Sequence, residues 1–127
     1  MAVTHTTAVR NAFADAIWDT LDSGKLVFRL SGTVAAPGTA VATLTLNAAA
    51  APAAAAGVAT AGAITSDTNA TGNASAVANA TLETSGSTVK VHCAVAASSS
   101  DINMSGGLTV GAGDTVSCSS LTYTACP

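Results

Sequence analysis

Residues 30–66 contain no Asp, Glu, Lys or Arg, and after Arg29 the only basic residue is Lys90. Six charged residues, Arg10, Asp15, Asp19, Asp22, Lys25 and Arg29, fall before that uncharged run. Charged side chains keep proteins apart in solution and supply most catalytic acids and bases. A chain so short of them is suited to packing against copies of itself or a large partner, and an enzyme is not expected. The 127 residues bound a single domain with a thin core, because much of the 49% hydrophobic content is alanine. Burying a methyl contributes about 0.8 kcal/mol, against roughly 1.5–3 for a Leu, Ile or Phe side chain.

The apolar periodicity divides the chain into one helix and a long β region. Val9, Ala12, Phe13, Ala16, Ile17 and Leu21 recur at helical spacing and predict an amphipathic helix over residues 7–22. Thr6 or Thr7 is available as its N-cap and Gly24 is placed to end it. Arg10, Asp15, Asp19 and Asp22 make the opposite face, read as solvated; Trp18 sits off the apolar stripe, either at the edge of the core or anchored in a partner. Residues 1–6 read as a flexible leader, and residues 7–127 as one domain.

From Lys25 the period changes to two. Leu26, Phe28 and Leu30 alternate, then Ala42, Leu44 and Leu46, and further strands are expected at residues 57–65, 74–84, 88–95, 108–110 and 114–124. Ser85, Gly86 and Ser87 read as a hairpin turn. In the strand after it, Val89, Val91, Cys93 and Val95 point one way and Lys90 and His92 the other. The expected fold is mainly β: an antiparallel β-sandwich or jelly roll of about seven or eight short strands with one N-terminal helix. Because Phe13, Trp18, Phe28 and Tyr123 are the only aromatics, the first and last strands are expected to lie together with the helix nearby.

Several functional classes lose support. The net charge of −3 offers no basic patch for nucleic acid. Residues 1–7 show no basic segment followed by an apolar run, so no secretory signal is expected. The uncharged stretch 48–64 is Ala-rich and broken by Pro52, Gly57 and Gly62, which argues against a membrane span. Cys93, Cys118 and Cys126 are an odd set, read as reduced and buried thiols, with a Cys93–Cys118 bridge left open. Four glycosylation sequons, at Asn69, Asn73, Asn79 and Asn103, are best explained by composition.

No catalytic set emerges. His92 and Cys93 are neighbours on a strand and point to opposite faces, so they cannot form a nucleophile–base pair. Asp67, Asn69, Thr71 and Gly72, and again Asp101, Asn103, Ser105 and Gly106, follow the opening order of a calcium loop. Both lack the bidentate Glu at the twelfth position, where Ala78 and Ala112 stand. Turns capped by Asx side chains account for them without a metal. No metal or other cofactor is expected.

The order of a short amphipathic helix, the strands LVFRLSGT and ATLTLN, the segment GVATAGAITSDTNATG, a hairpin ending in TVKVHCAV and the close DINMSGGLTVGAGDTVSCSSLTYT resembles a group of small virion proteins of tailed bacteriophages. The resemblance implies a capsid decoration or cement protein, placed on the capsid exterior after assembly in the host cytoplasm. Its implied partner is the major capsid protein, bound by a homodimer or homotrimer, with no nucleic acid or membrane contact. In the strand holding residues 76–80 similar sequences generally carry bulkier residues, so a slimmer core or interface is expected here. Trp18, Val27, Arg29, Lys90 and His92 are the candidate interface residues. A tail, neck or fibre component is the alternative, and a carbohydrate-binding surface module a more distant one.

Overall fold

Thr6 is extended (φ −64°, ψ 155°) and its hydroxyl accepts from the Val9 N–H, which starts helix α1 (Thr7–Asp19) as an N-cap should. The computed structural model describes residues 2–127. The helix stops three residues before the expected end: Thr20 caps it in the αR region, and Ser23 turns the chain with φ 53°. Gly24 follows in a site where any side chain would collide with backbone, since a Cβ would lie 2.3 Å from the Glu83 carbonyl oxygen. None of the described helices is long and apolar enough to cross a membrane.

Eight strands follow: β1 (Lys25–Arg29), β2 (Ala40–Leu46), β3 (Val58–Thr60), β4 (Ile64–Thr65), β5 (Asn79–Glu83), β6 (Val89–Ala96), β7 (Ile102–Asn103) and β8 (Thr122–Thr124). Six form one sheet in the order β4-β2-β1-β5-β6-β7, and β3 pairs with β8 in a separate ribbon. The sheet is mixed, not wholly antiparallel as expected, because β7 runs parallel to β6. The fold is mainly β with one short helix. The β5–β6 hairpin turns where the sequence placed it, with Thr84 N–H donating to the Thr88 carbonyl and Ser87 at φ 66°.

Four expected strands are shortened, split or lost, the one at 74–84 keeping only residues 79–83 as β5. The 57–65 strand breaks into β3 and β4 because Gly62 N–H turns away to the Ala50 carbonyl. Segments 108–110 and 114–121 are irregular, the first flanked by Gly106, Gly107, Gly111 and Gly113 and the second carrying Ser117, Ser119 and Ser120, although Val110 and Val116 stay buried and hydrogen-bond to the 67–77 segment. The topological guess about the aromatics holds in part. Trp18, Phe28 and Tyr123 share one core, but β1 is central, flanked by β2 and β5, and does not pair with β8.

Alternation along the strands gives the six-stranded sheet two unlike faces. Leu26, Phe28, Ala42, Leu44, Leu46, Ala80 and Leu82 point to the core, which Trp18, Leu21, the β3–β8 ribbon and Val110 and Val116 close from the other side. The reverse face carries the row Thr43, Val27, Thr81 and His92, with Arg29, Asn79 and Glu83 beside it. Near its centre Glu83, 2% exposed, pairs with Arg29 and accepts from the Thr81 hydroxyl at 2.7 Å. Arg29 also donates to Thr81 Oγ1 at 3.1 Å and to the Gly38 carbonyl at 2.6 Å.

Candidate interaction surface

Helix α1 is turned the opposite way from the sequence reading. Its buried residues are Ala14 and Trp18, continued by Leu21, whereas Val9 and Phe13 are 40% and 46% exposed. The reason lies in the segment facing it, residues 48–57, which is nine parts alanine and proline to one glycine and has no polar side chain of its own. Its buried N–H groups must find acceptors elsewhere. They find them on the helix side: Asn11 Oδ1 accepts from Gly57 N–H at 2.7 Å, Asp15 Oδ1 from Ala54 N–H at 2.7 Å, and Asp22 Oδ1 from Ala50 N–H at 2.8 Å. The face read as solvated is the one that binds the rest of the chain.

Gly57 completes this seam. It has φ +77°, and a Cβ there would come within 2.8 Å of the Arg10 guanidinium, so the helix and the segment close at a position only glycine fills without strain. Replacing Asp15 with Ala leaves the buried Ala54 N–H without an acceptor and is expected to cost about 1–3 kcal/mol, with Asp15→Asn losing less because it keeps an oxygen. Urea denaturation checks this: the midpoint should fall in the order wild type, Asn, Ala with an unchanged slope. Equal midpoints for Ala and wild type would contradict the assigned role.

With its polar side spent inward, α1 shows an apolar side outward. Val9, Phe13 and the half-buried Ile17 lie four residues apart in one row, with Ala12 and Ala16 exposed beside them. Of the charged helix residues only Asp19 is fully exposed. The leader is not detached: the His5 ring meets Phe13 edge-on with centroids 5.4 Å apart, and His5 Nδ1 lies 2.7 Å from the Pro127 main-chain oxygen. Stacked outward aliphatics and an aromatic on a short helix are what an anchor for a partner's groove requires.

The five candidate interface residues separate. Trp18 and Val27, at 2% and 3% exposure, are buried within their own chain, and the Trp18 indole Nε1–H is left without an acceptor among the described residues. Arg29 is held in the pair with Glu83. Lys90 and His92 are exposed on the reverse face of β6, as their parity predicts. Phe13 and Val9, the exposed apolar pair, were assigned to the core by periodicity. The signal that could have found them is the second stripe Ala14, Trp18, Leu21, taken together with the run opposite, which has no side-chain acceptor.

In both calcium-like segments the leading carboxylate is taken up by main-chain N–H groups, the first as an Asx turn and the second by tying its loop to β6. Asp67 accepts from Asn69 and Thr43 N–H, one on each carboxylate oxygen, and Asp101 accepts from Ala94 N–H. Asp114 accepts from Gly111 N–H at 2.7 Å. Asp101 and Asp114 border an open concavity of about 730 Å³ lined largely by Ser, Thr and Gly, with Phe28, Met104, Val110 and Val116 among its apolar walls. The cysteines are free, and Cys126 is exposed where a buried thiol was expected. Burial pushes the Cys93 and Cys118 thiols up from their ordinary value, so at neutral pH they stay protonated and slow to react.

No protein-family model, no curated protein and no solved structure matches this chain.

Proposed function

We propose that the protein is a non-catalytic structural subunit of a bacteriophage virion, a decoration protein that seats between major capsid subunits and stabilises the shell. The observation that carries the reading is the outward apolar side of α1, an anchor left exposed because the helix's polar side is committed to residues 48–57. The carboxylates of Asp15, Asp22, Asp67, Asp101 and Asp114 each accept a main-chain N–H, and Glu83 is paired with Arg29. Groups that would serve acid–base chemistry are spent on holding loops. The surrounding Ser, Thr and Ala surface has little rotamer entropy to lose on docking, and many symmetry-related copies multiply weak contacts.

In this reading the six-stranded sheet and the β3–β8 ribbon are two unequal halves of an open sandwich. The working unit is a homodimer or homotrimer on the capsid exterior, reached from the host cytoplasm during assembly. A carbohydrate-binding role is less well supported. Phe13 is exposed, but His5 covers its edge and alanines flank it, where a sugar site needs hydrogen-bonding side chains.

Purified particles test the assignment. Copies in fixed proportion to the major capsid protein, on the outer shell, are expected. A few copies at the tail, neck or fibre would overturn the capsid reading in favour of that alternative.

A further inference from the structure

Two strand edges border one groove. On β6 the Ala94 N–H donates to Asp101 Oδ2 and the Ala96 carbonyl accepts from Met104 N–H, so the even-numbered residues turn their main-chain groups away from β5. His92, two residues earlier, presents its N–H and C=O to the same side, and β7 covers only Val95 and Ala96. On β8 the Leu121 carbonyl accepts from Ala61 N–H and the Ala125 N–H donates to the Gly57 carbonyl, which turns the odd-numbered residues towards β3. Thr122 and Thr124 therefore offer theirs outward. Among the described residues no main-chain group bonds to either set.

His92, Thr122 and Thr124 line a cavity of about 310 Å³ together with Trp18, Leu82 and Val91. The indole Nε1–H of Trp18, a residue only 2% exposed, is buried with no acceptor among the described residues. An orphaned donor beside two unpaired strand edges and apolar side chains is matched by one kind of ligand: an extended, uncharged segment with a small apolar residue turned inward and a carbonyl free to accept.

We infer that the groove receives the N-terminal arm, residues 2–6, of a second copy of this chain, laid as a strand between β6 and β8. The arm has the required character. It carries no charge, Thr6 is already extended, and among the described residues no main-chain hydrogen bond involves residues 2–5. Val3, 75% exposed, is the most exposed large apolar side chain and the one to turn inward. Five extended residues span about 16–18 Å, enough to run along all of β8. In its own chain the base of the arm rests through His5 on Phe13 and Pro127, two exposed contacts that give way on exchange, and Val3 is left unburied. Exchange between two copies fills both grooves reciprocally, as an isologous two-fold contact does, and links the six-stranded sheet to the β3–β8 ribbon.

The test needs no capsid, so it is independent of the virion assignment. Trp18 is the only tryptophan and reports from the groove. At high concentration the purified chain is expected to sediment at twice its 12.1 kDa mass, while Val3→Asp and a chain lacking residues 2–5 sediment as monomers. A synthetic peptide of residues 2–7, added to the shortened chain, should shift Trp18 emission and slow alkylation of Cys93, which also lines the groove. Thr124→Pro, which removes an outward N–H without touching the β3 ladder, should weaken the dimer. A wild-type monomer at every concentration, a dimer that survives Val3→Asp, or Trp18 emission indifferent to the peptide would each overturn the inference. A dimer that dissociates with Val3→Asp but does not bind capsids would count against the virion reading alone.

Discussion

Glu83→Ala is expected to destabilise the protein by about 3–5 kcal/mol, because it strands the Arg29 guanidinium in a largely buried site with its counterion gone. The pair's side chains are 13% and 3% exposed, and Glu83 also takes the Thr81 hydroxyl proton. Such a loss is a large part of the roughly 5–15 kcal/mol that holds a domain together. Glu83→Gln keeps an acceptor for Thr81 and should lose less. The double replacement Arg29→Met with Glu83→Leu should recover most of the loss, since a buried ion pair is readily exchanged for apolar packing. Thermal unfolding of the single and double variants separates these cases; a double variant as unstable as Glu83→Ala would show that the pair is not what the site depends on.

Trp18→Ala should cost a comparable amount, about 3–5 kcal/mol. The core is built largely of small residues, with Ala14, Ala42, Ala50, Ala54, Ala59, Ala70, Ala80 and Ala125 all buried, so the few large side chains carry a disproportionate share. Trp18 sits among them with Leu26, Phe28 and Leu44 and joins α1 to the six-stranded sheet. Trp18→Phe removes the unpartnered indole N–H while keeping most of the packing, and should lose markedly less than Ala. Chemical denaturation distinguishes the two. If Ala and Phe fall together, the tryptophan's bulk is not what closes this end of the core.

The elements that were legible in the sequence are those whose signal is local. The Thr6 cap, the alternation of β1 and β2, the turn at residues 85–87 and the parity of β6 all follow from side chains within a few positions of each other. What was not legible depended on partners far along the chain. Periodicity offered two overlapping stripes on α1, and nothing within the helix decides between Val9–Phe13–Ile17 and Ala14–Trp18–Leu21. The decision comes from residues 48–57, whose N–H groups claim Asn11, Asp15 and Asp22 across 28 to 46 positions.

The same cause explains the charge pattern. A segment of ten residues made of Ala, Pro and Gly has no side-chain acceptor of its own, and carboxylates crowded into the first residues of the chain supply two of those it uses. β3 and β4 are separated for a related reason, since Gly62 bonds back to Ala50 in that segment. The parallel β6–β7 pair is only two residues long and leaves no periodic trace.

In the proposed virion role α1 would dock the chain through its outward apolar row. Phe13→Asp places a charge in that row at a residue 46% exposed; it loses the covered half of the ring and the edge contact with His5, so stability should fall by about 1–2 kcal/mol with the fold retained. Burying that charge against a partner would be strongly unfavourable. The direct measurement is binding of the folded variant to capsid shells that lack the protein, beside wild type. A modestly lowered unfolding midpoint, a folded chain and loss of binding are expected; a folded variant that decorates the shells as wild type does would contradict docking through this row.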